Sequence, residues 1–557
     1  AKLTNNTTFM VLMNVLLYMI IPIQADVDFI SNGILVADND NLAQDSHEVL
    51  TENGLVRGFV LDNTDIIQYF DVPYGRFNKP DKPVAWDTVL SNDKHVSRCP
   101  QIDQNDAYIG RVDCLTLSVF KRTGVENTDV LFHIHDGDFN SGSGDPGVYS
   151  PLQIVQEGII LVLPNYRLGP LGFMCWQNDT VPGNAGLKDL ALALEWVKNN
   201  IKSFGGNASN IVVSGSDSAG ALVDYLVIAN QTSKYIAKAI TESGFALSHW
   251  ALDRDPLRTA KGMINADGDL ESIIRAGKNF TFKPCIEKKG GFVTDSFWGL
   301  LQTHKINIPL MIGSANQAGM EHVLNLDRES ILEINRDLSL LLPDDLVFQG
   351  NQQNEISKRV KRQYFGEKNI TRKVLDRLSL CFTDFAYISP GIRQARLMTQ
   401  AGGTVYFYEF SYTGDRQHPI PGASNGDSLH YVFTTSSSPV ELLNTSIKYE
   451  GRDHDKLTIT LNPIKTLWIT FIKTGIPTAL NVKWNVFGSN AGKEECLIIG
   501  CEIKLTDNLH AERLTAALFP IFSFKILFLQ FNNNYYYYLI TRCHFLLISS
   551  NKKLNYN

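Results

Sequence analysis

The chain has no excess of positive charge. Its 557 residues carry 51 lysines and arginines against 58 aspartates and glutamates, for a net charge of −7 and a pI near 6.0. A protein that coats nucleic acid needs a basic face to meet phosphates, so this balance argues against bulk nucleic-acid binding. A clean run of 18 apolar residues, the minimum for a membrane helix, is also lacking. The stretch MVLMNVLLYMIIPIQA, from Met10 to Ala25, is short for a span and ends in a small residue. That is the pattern of a signal peptide, with a mature start expected near Asp26; a buried N-terminal helix is the bland alternative. Residues 1–25 therefore read as a leader, with residues 1–9 an extension ahead of Met10. Near the other end, residues 518–557 mix apolar stretches with an Asn and Tyr tract, and Lys525 interrupts them. A GPI signal should finish in its apolar stretch, and this one finishes in NKKLNYN. Residues 511–557 are expected to form a poorly ordered tail, with a membrane anchor the less favoured alternative. Cys496 and Cys501 lack the second cysteine or histidine pair that a zinc site needs. Neither metal nor cofactor is expected.

What is present points to the secretory route. After Ala25 the chain carries N-x-S/T sequons at Asn178, Asn207, Asn230, Asn279, Asn369 and Asn444. Cysteines stand at 99, 114, 175, 285, 381, 496, 501 and 543, in keeping with an oxidising compartment. Cys99 and Cys114 are 15 residues apart. A bridge between them would contribute about 3 kcal/mol by restricting the unfolded chain. A secreted, extracellular protein is the expectation.

Strand-like apolar runs alternate with amphipathic ones. DVLFHIH (129–135), GIILVLPNY (158–166), NIVVSG (210–215), YIAKAITES (235–243), IPLMIG (308–313) and TVYFYEF (404–410) read as buried strands. Residues 186–204 and 463–475 have helical periodicity and end near glycine. The alternation predicts an α/β fold with a mostly parallel sheet covered by helices on both faces. Residues 26–510 show no repeat and no linker, and read as one domain.

Several blocks carry a family resemblance. FDVPYGRF (70–77), DCLTLSVF (113–120), NYRLGPLGF (165–173), GNAGLKDLALALEWVKNNIKSFGG (183–206), ITESG (240–244), DSLHYVF (427–433) and WITFIKTGIP (468–477) resemble the type-B carboxylesterase and cholinesterase family. They fall in the family's order over nearly all of residues 50–500. The resemblance implies an α/β-hydrolase fold and makes Cys99 and Cys114 look like the family's first disulfide. The loop they would close contains no Trp, which speaks against the choline recognition of cholinesterases.

Ester hydrolysis on this fold needs a serine on a tight strand-to-helix turn, a histidine base, an acid to orient it, and backbone N–H donors for the oxyanion. SGSDSAGALV (214–223) has the outline of such a turn. The resemblance places the nucleophile eleven residues after Gly206 and 26 before Ser243, and both distances reach Asp217 without a gap. Ser218 would serve as nucleophile only with an insertion before it and a deletion after it. It falls instead where a backbone donor stands. The family's oxyanion loop reads His135-Asp136-Gly137-Asp138-Phe139, with two of three glycines replaced by aspartate. By the same resemblance the acid position holds Ala318 and the base position Asn425. Asparagine cannot accept and return a proton near neutral pH. His430 stands at a variable position and reads as a surface or packing residue.

The triad positions Asp217, Ala318 and Asn425, together with Gly137, Asp138 and Ser218 of the oxyanion loop and turn, thus read as degenerate. The resemblance then points to the family's non-catalytic adhesion members: neuroligin, neurotactin, gliotactin and glutactin. The leader favours the glutactin type, although no glutamate-rich C-terminal region is present. The expectation is an extracellular binding or adhesion protein with a protein partner. Two alternatives stand beside it. One is a hydrolase with an aspartate nucleophile. The other is binding of a ligand or cation between Asp138 and Asp217. Trp196 and Trp468 read as core, Arg167 as a structural ion-pair residue, and His133 and His135 as satisfied by hydrogen bonds.

Overall fold

A computed structural model describes residues 47–514, apart from 78–80, 93–96, 264–268, 279, 289, 347, 349, 414–417, 434–462, 479–481, 483 and 490–492. The expected leader, nearly all of the tail, Cys543 and the sequons at Asn279 and Asn444 lie outside the described residues.

The strands in chain order are β1 (His47–Thr51), β2 (Gly54–Val60), β3 (Ile66–Pro73), β4 (Leu90–Ser91), β5 (Gln101–Ile102), β6 (Tyr108–Ile109), β7 (Thr116–Arg122) and β8 (Thr128–Ile134). They continue as β9 (Ile160–Pro164), β10 (Gly206–Ser216), β11 (Lys238–Glu242), β12 (Pro309–Ala315), β13 (Thr404–Phe410), β14 (Glu495–Ile499) and β15 (Ile503–Asp507). Thirteen form one sheet in the order β1-β2-β3-β7-β9-β8-β10-β11-β12-β13-β14-β15, with β4 beside β2. From β9 to β14 every pairing is parallel, and both flanks of the sheet are antiparallel except where β4 pairs in parallel with β2. All six strand expectations are met within a few residues.

The central strands are apolar because both faces are covered. Their side chains alternate between two cores. Val130, Phe132, Ile134, Ile211 and Val213 pack on one face. Leu131, Leu161, Val212, Ile240 and Met311 pack on the other. The Ala185–Asn200 helix covers the first face, with Leu187, Leu190, Leu194 and Val197 buried at helical spacing. The Pro463–Thr474 helix covers the second with Ile464, Leu467, Trp468 and Phe471. Trp196 and Trp468 are core residues, 5% and 0% exposed.

A buried ion pair ties a covering helix to the sheet. Arg167, beyond β9, reaches Asp189 of the covering helix through Nε (2.7 Å) and Nη2 (2.6 Å) and gives Nη1 to the Phe77 carbonyl. This fork-to-carboxylate geometry suits arginine and holds the helix against the strand. It matches the structural role expected for Arg167. Two disulfides are present among the described residues, Cys99–Cys114 and Cys175–Cys285. The first is the pair that the resemblance implied. At the C-terminal end, Arg513 forks onto Asp384 and Leu514 is buried, so the chain packs on the domain through residue 514.

Candidate functional site

The candidate site lies at the carboxyl ends of the parallel strands, where open α/β sheets place ligands. Ser216 ends β10 and Ser218 opens an eleven-residue helix, Ser218–Ile228, so Asp217 alone makes the turn. It does so at φ 49° and ψ −124°, which costs a non-glycine residue roughly 1–3 kcal/mol. The surroundings enforce it. The Asp217 N–H donates to the Glu242 carbonyl at 2.9 Å, tying the turn to β11. Gly244 packs so tightly that an added Cβ would lie 1.7 Å from the Asp217 carbonyl oxygen.

Asn425 faces Asp217. Its Nδ2 donates to Asp217 Oδ2, and its Oδ1 is buried with no partner among the described residues. Ala318 is brought beside the same loop. The Gln317 N–H donates to the Ala423 carbonyl at 3.0 Å, and the Ala423 N–H donates to Asn316 Oδ1 at 2.8 Å. The Ala318 methyl is buried in the second core, 1% exposed, and offers no polar group.

The strand register brings a third segment to the turn. β8 and β10 run in parallel with Ile134 opposite Gly215, so Asp136 leaves β8 level with Asp217. The Ser218 hydroxyl donates to Asp136 Oδ1 at 2.6 Å. The Phe139 N–H points at Ser218 Oγ at 3.4 Å. Gly137 has φ 136°, and a Cβ there would lie 2.1 Å from the Ser141 carbonyl oxygen, so the loop requires glycine at that place. Asp138 follows at φ 54° and is exposed.

Electrostatics at the turn raise the pKa of both carboxyls, Asp217 far more than Asp136. Burial pushes Asp217 well above the usual range, and Asp136, Asp138 and Glu321 add repulsion; the Asn425 hydrogen bond pulls the other way. Burial pushes Asp136 up to about 6, against hydrogen bonds from the Ser218 hydroxyl and the Gly137 and Asp138 backbone. The histidines behind the loop are neutral, because burial drives His133 down to about 3 and His135 to about 4. Each is bonded through Nδ1, to Ser214 Oγ at 2.8 Å and to the Asp136 carbonyl at 3.0 Å. Their Nε2 atoms are buried without a partner among the described residues, so only half of each ring is satisfied as expected. His430 lies half-buried on the Leu429–Val432 helix.

Sequence reasoning placed Asp217, Ser218, Gly137, Asp138, Ala318 and Asn425, and the fold brings all six to this one end of the sheet. It did not find the contact from Ser218 to Asp136, which joins residues 82 positions apart. Nor did it find Glu242, 0% exposed, which accepts hydrogen bonds from Tyr408 and Ser428 beneath the Asn425 loop. Tyr387 was missed as well. It is bonded to His322 at 2.9 Å and sits within the field of Asp217, Asp138 and Asp136. No local pattern marks these residues; the aspartates at 136 and 138, which the resemblance set against glycines, were the one available signal.

A separate cavity of about 570 Å³ is lined by residues including Asn178, Lys188, Tyr235, Glu287 and Phe292 and shares no residue with the turn. Among the described residues no His, Cys, Asp and Glu group of three or more is placed to hold a metal ion. Among them, too, no helix is long and apolar enough to cross a membrane. The sequons at Asn230 and Asn369 are exposed, and those at Asn178 and Asn207 are half-buried.

Comparison with known proteins agrees with this architecture. Residues 45–272 and 269–517 match the model of the carboxylesterase family. The chain is 27% identical over 505 residues to esterase FE4 of Myzus persicae, covering 79% of this chain and 86% of that protein. It is 25% identical over 517 residues to the para-nitrobenzyl esterase of Bacillus subtilis, covering 85% of this chain and 99% of that one. The solved juvenile hormone esterase of Manduca sexta superposes with a TM-score of 0.72 at 22% identity, over 85% of this chain and 99% of that one. The match over well more than half of its length makes this chain a member of the carboxylesterase family, on an α/β-hydrolase fold.

Proposed function

We propose that this member is non-catalytic, is secreted, and acts as an extracellular adhesion or binding protein with a protein partner. One observation carries the reading: the side chain facing the turn residue is the Asn425 amide, hydrogen-bonded to a carboxyl rather than to a hydroxyl. Hydrolysis of an ester on this scaffold requires a nucleophile and a base that trade a proton. Asp217 offers a carboxyl held toward its neutral form, and Asn425 cannot shuttle protons. Ala318 supplies no acid to orient a base. The members of such a triad act as a unit, so these replacements together remove the chemistry. Secretion is supported by two disulfides among the described residues, by exposed sequons and by the apolar run after Met10. The kinship to glutactin and neurotactin rests on the same loss.

A fluorophosphonate probe tests the reading directly. The purified secreted chain is expected to stay unlabelled at a concentration that labels an active esterase completely. Stoichiometric label on Ser218 would contradict it. Capture of cell-surface or matrix proteins by the same chain, with identification by mass spectrometry, then addresses the partner.

One observation favours a second reading. Asp217 occupies the strained turn that presents nucleophiles in this fold, and carboxylates do act as covalent nucleophiles. A nucleophilic carboxyl must be ionised, and its ester intermediate needs a base to activate water. Burial, with repulsion from Asp136 and Asp138, opposes the first, and Asn425 fails the second. Turnover in ¹⁸O-water that leaves the label in the Asp217 carboxyl would establish this alternative. Binding of a cation among the same carboxyls is the remaining alternative. A saturable thermal shift with an amine or metal salt that Asp217→Asn abolishes would reveal it.

A further inference from the structure

We infer that Asp136 places an intrachain anion where backbone donors beside the turn would receive the oxyanion of a substrate, so that the chain closes its own oxyanion site. In α/β-hydrolases that site is built from the N–H after the turn residue and from N–H groups of the loop after a neighbouring strand. Here these are Ser218, the first residue of the helix, and Gly137 with Asp138, beyond β8. The Asp136 carboxylate turns onto this set. Its Oδ1 accepts the Ser218 hydroxyl at 2.6 Å, which sets the carboxyl against the first residue of the helix, and the same carboxyl stands directly before Gly137 and Asp138, whose backbone favours its charged form.

The Asp136 main chain is fixed for the purpose, since its N–H donates to the Tyr149 hydroxyl at 3.1 Å and its carbonyl meets His135 Nδ1. A side chain at position 137 would drive into Ser141, so only glycine fits beside the carboxyl. The contact thus does two things. It fixes the Asp136 carboxyl against Ser218, and it sets negative charge beside the donors, which disfavours the oxyanion of an acyl group or any other anion there. Loss of the triad and closure of the oxyanion site are separate events, and reversing the first would not restore hydrolysis.

The inference rests on the reading that ester chemistry is lost, and the test separates the two. Asp217→Ser, Ala318→Glu and Asn425→His are combined in the full chain, with and without Asp136→Gly. Hydrolysis of p-nitrophenyl butyrate is then followed. Removing a single oxyanion donor from a working hydrolase costs about 100- to 1000-fold, so the combination with Asp136→Gly is expected to run at least about 100-fold faster than the one retaining Asp136. Equal rates in the two, whether measurable or nil, would overturn the inference. Turnover by the unaltered chain would overturn the reading beneath it as well.

A second measurement needs no rebuilt triad. Ser218→Ala is expected to lower the thermal midpoint when Asp136 is present and to leave it unchanged in the Asp136→Gly background. Equal shifts in both would show that the hydroxyl does not hold the carboxylate, and would also overturn the inference.

Discussion

Asp224 shows how a lone buried carboxyl constrains this protein. It lies on the helix behind the turn and is 1% exposed. Its Oδ2 accepts the Ala246 N–H at 2.9 Å and Gln394 Nε2 at 2.7 Å, while Oδ1 has no partner among the described residues. Burial outweighs both bonds and pushes its pKa up to about 8. The unfolded chain releases this proton near pH 4 and the folded chain only near pH 8, so the group's stabilising contribution is complete below about pH 4 and falls as pH rises. The loss levels off above pH 8, at a magnitude on the order of a few kcal/mol. Asp224→Asn keeps the shape and removes the ionisation. It is expected to raise the urea midpoint at pH 8 and to flatten its change between pH 5 and pH 8. An unaltered pH slope in the variant would show that Asp224 ionises freely in the folded protein.

At the scale of elements, the strand-to-helix turn is held by backbone geometry, and on the proposed reading it survives without the residue types that hydrolysis needs. Asp217 keeps a positive φ because Glu242 of β11 holds its N–H and Gly244 gives it room. Gly244→Ala would put a methyl 1.7 Å from the Asp217 carbonyl oxygen, and backbone cannot yield cheaply there. The expected cost is about 3 kcal/mol or more, read as a fall in the denaturant midpoint. A wild-type midpoint would mean that the turn is slack.

This element was legible from sequence because two blocks, ending at Gly206 and at Ser243, bracket it without a gap. The strands were legible because double burial makes their runs continuously apolar; ILVLP of β9 is buried at all five positions. Side-chain contacts between segments were not legible. Ser218 and Asp136 meet because β8 and β10 are neighbours in the sheet, and nothing local to either residue records that adjacency.

Across the whole molecule, long-range ties decide how the covering layers stay on the sheet. Cys175–Cys285 closes a separation of 110 residues and sits beside Asn184, whose Nδ2 donates to the Cys285 carbonyl at 2.8 Å. Its pairing was invisible in the sequence, because eight cysteines allow many connectivities and distance along the chain favours none. Replacing both cysteines by serine is expected to cost about 4–5 kcal/mol by the loop-entropy argument. Loss of the expressed protein, or a matching fall in its unfolding midpoint, would bear this out; an unchanged midpoint would not.

The central claim concerns chemistry, and hydrolysis of short p-nitrophenyl esters by the purified full chain tests it most directly. The account predicts a rate indistinguishable from buffer across pH 5–9, with no change on Asp217→Ala. Turnover that Asp217→Ala abolishes would contradict it.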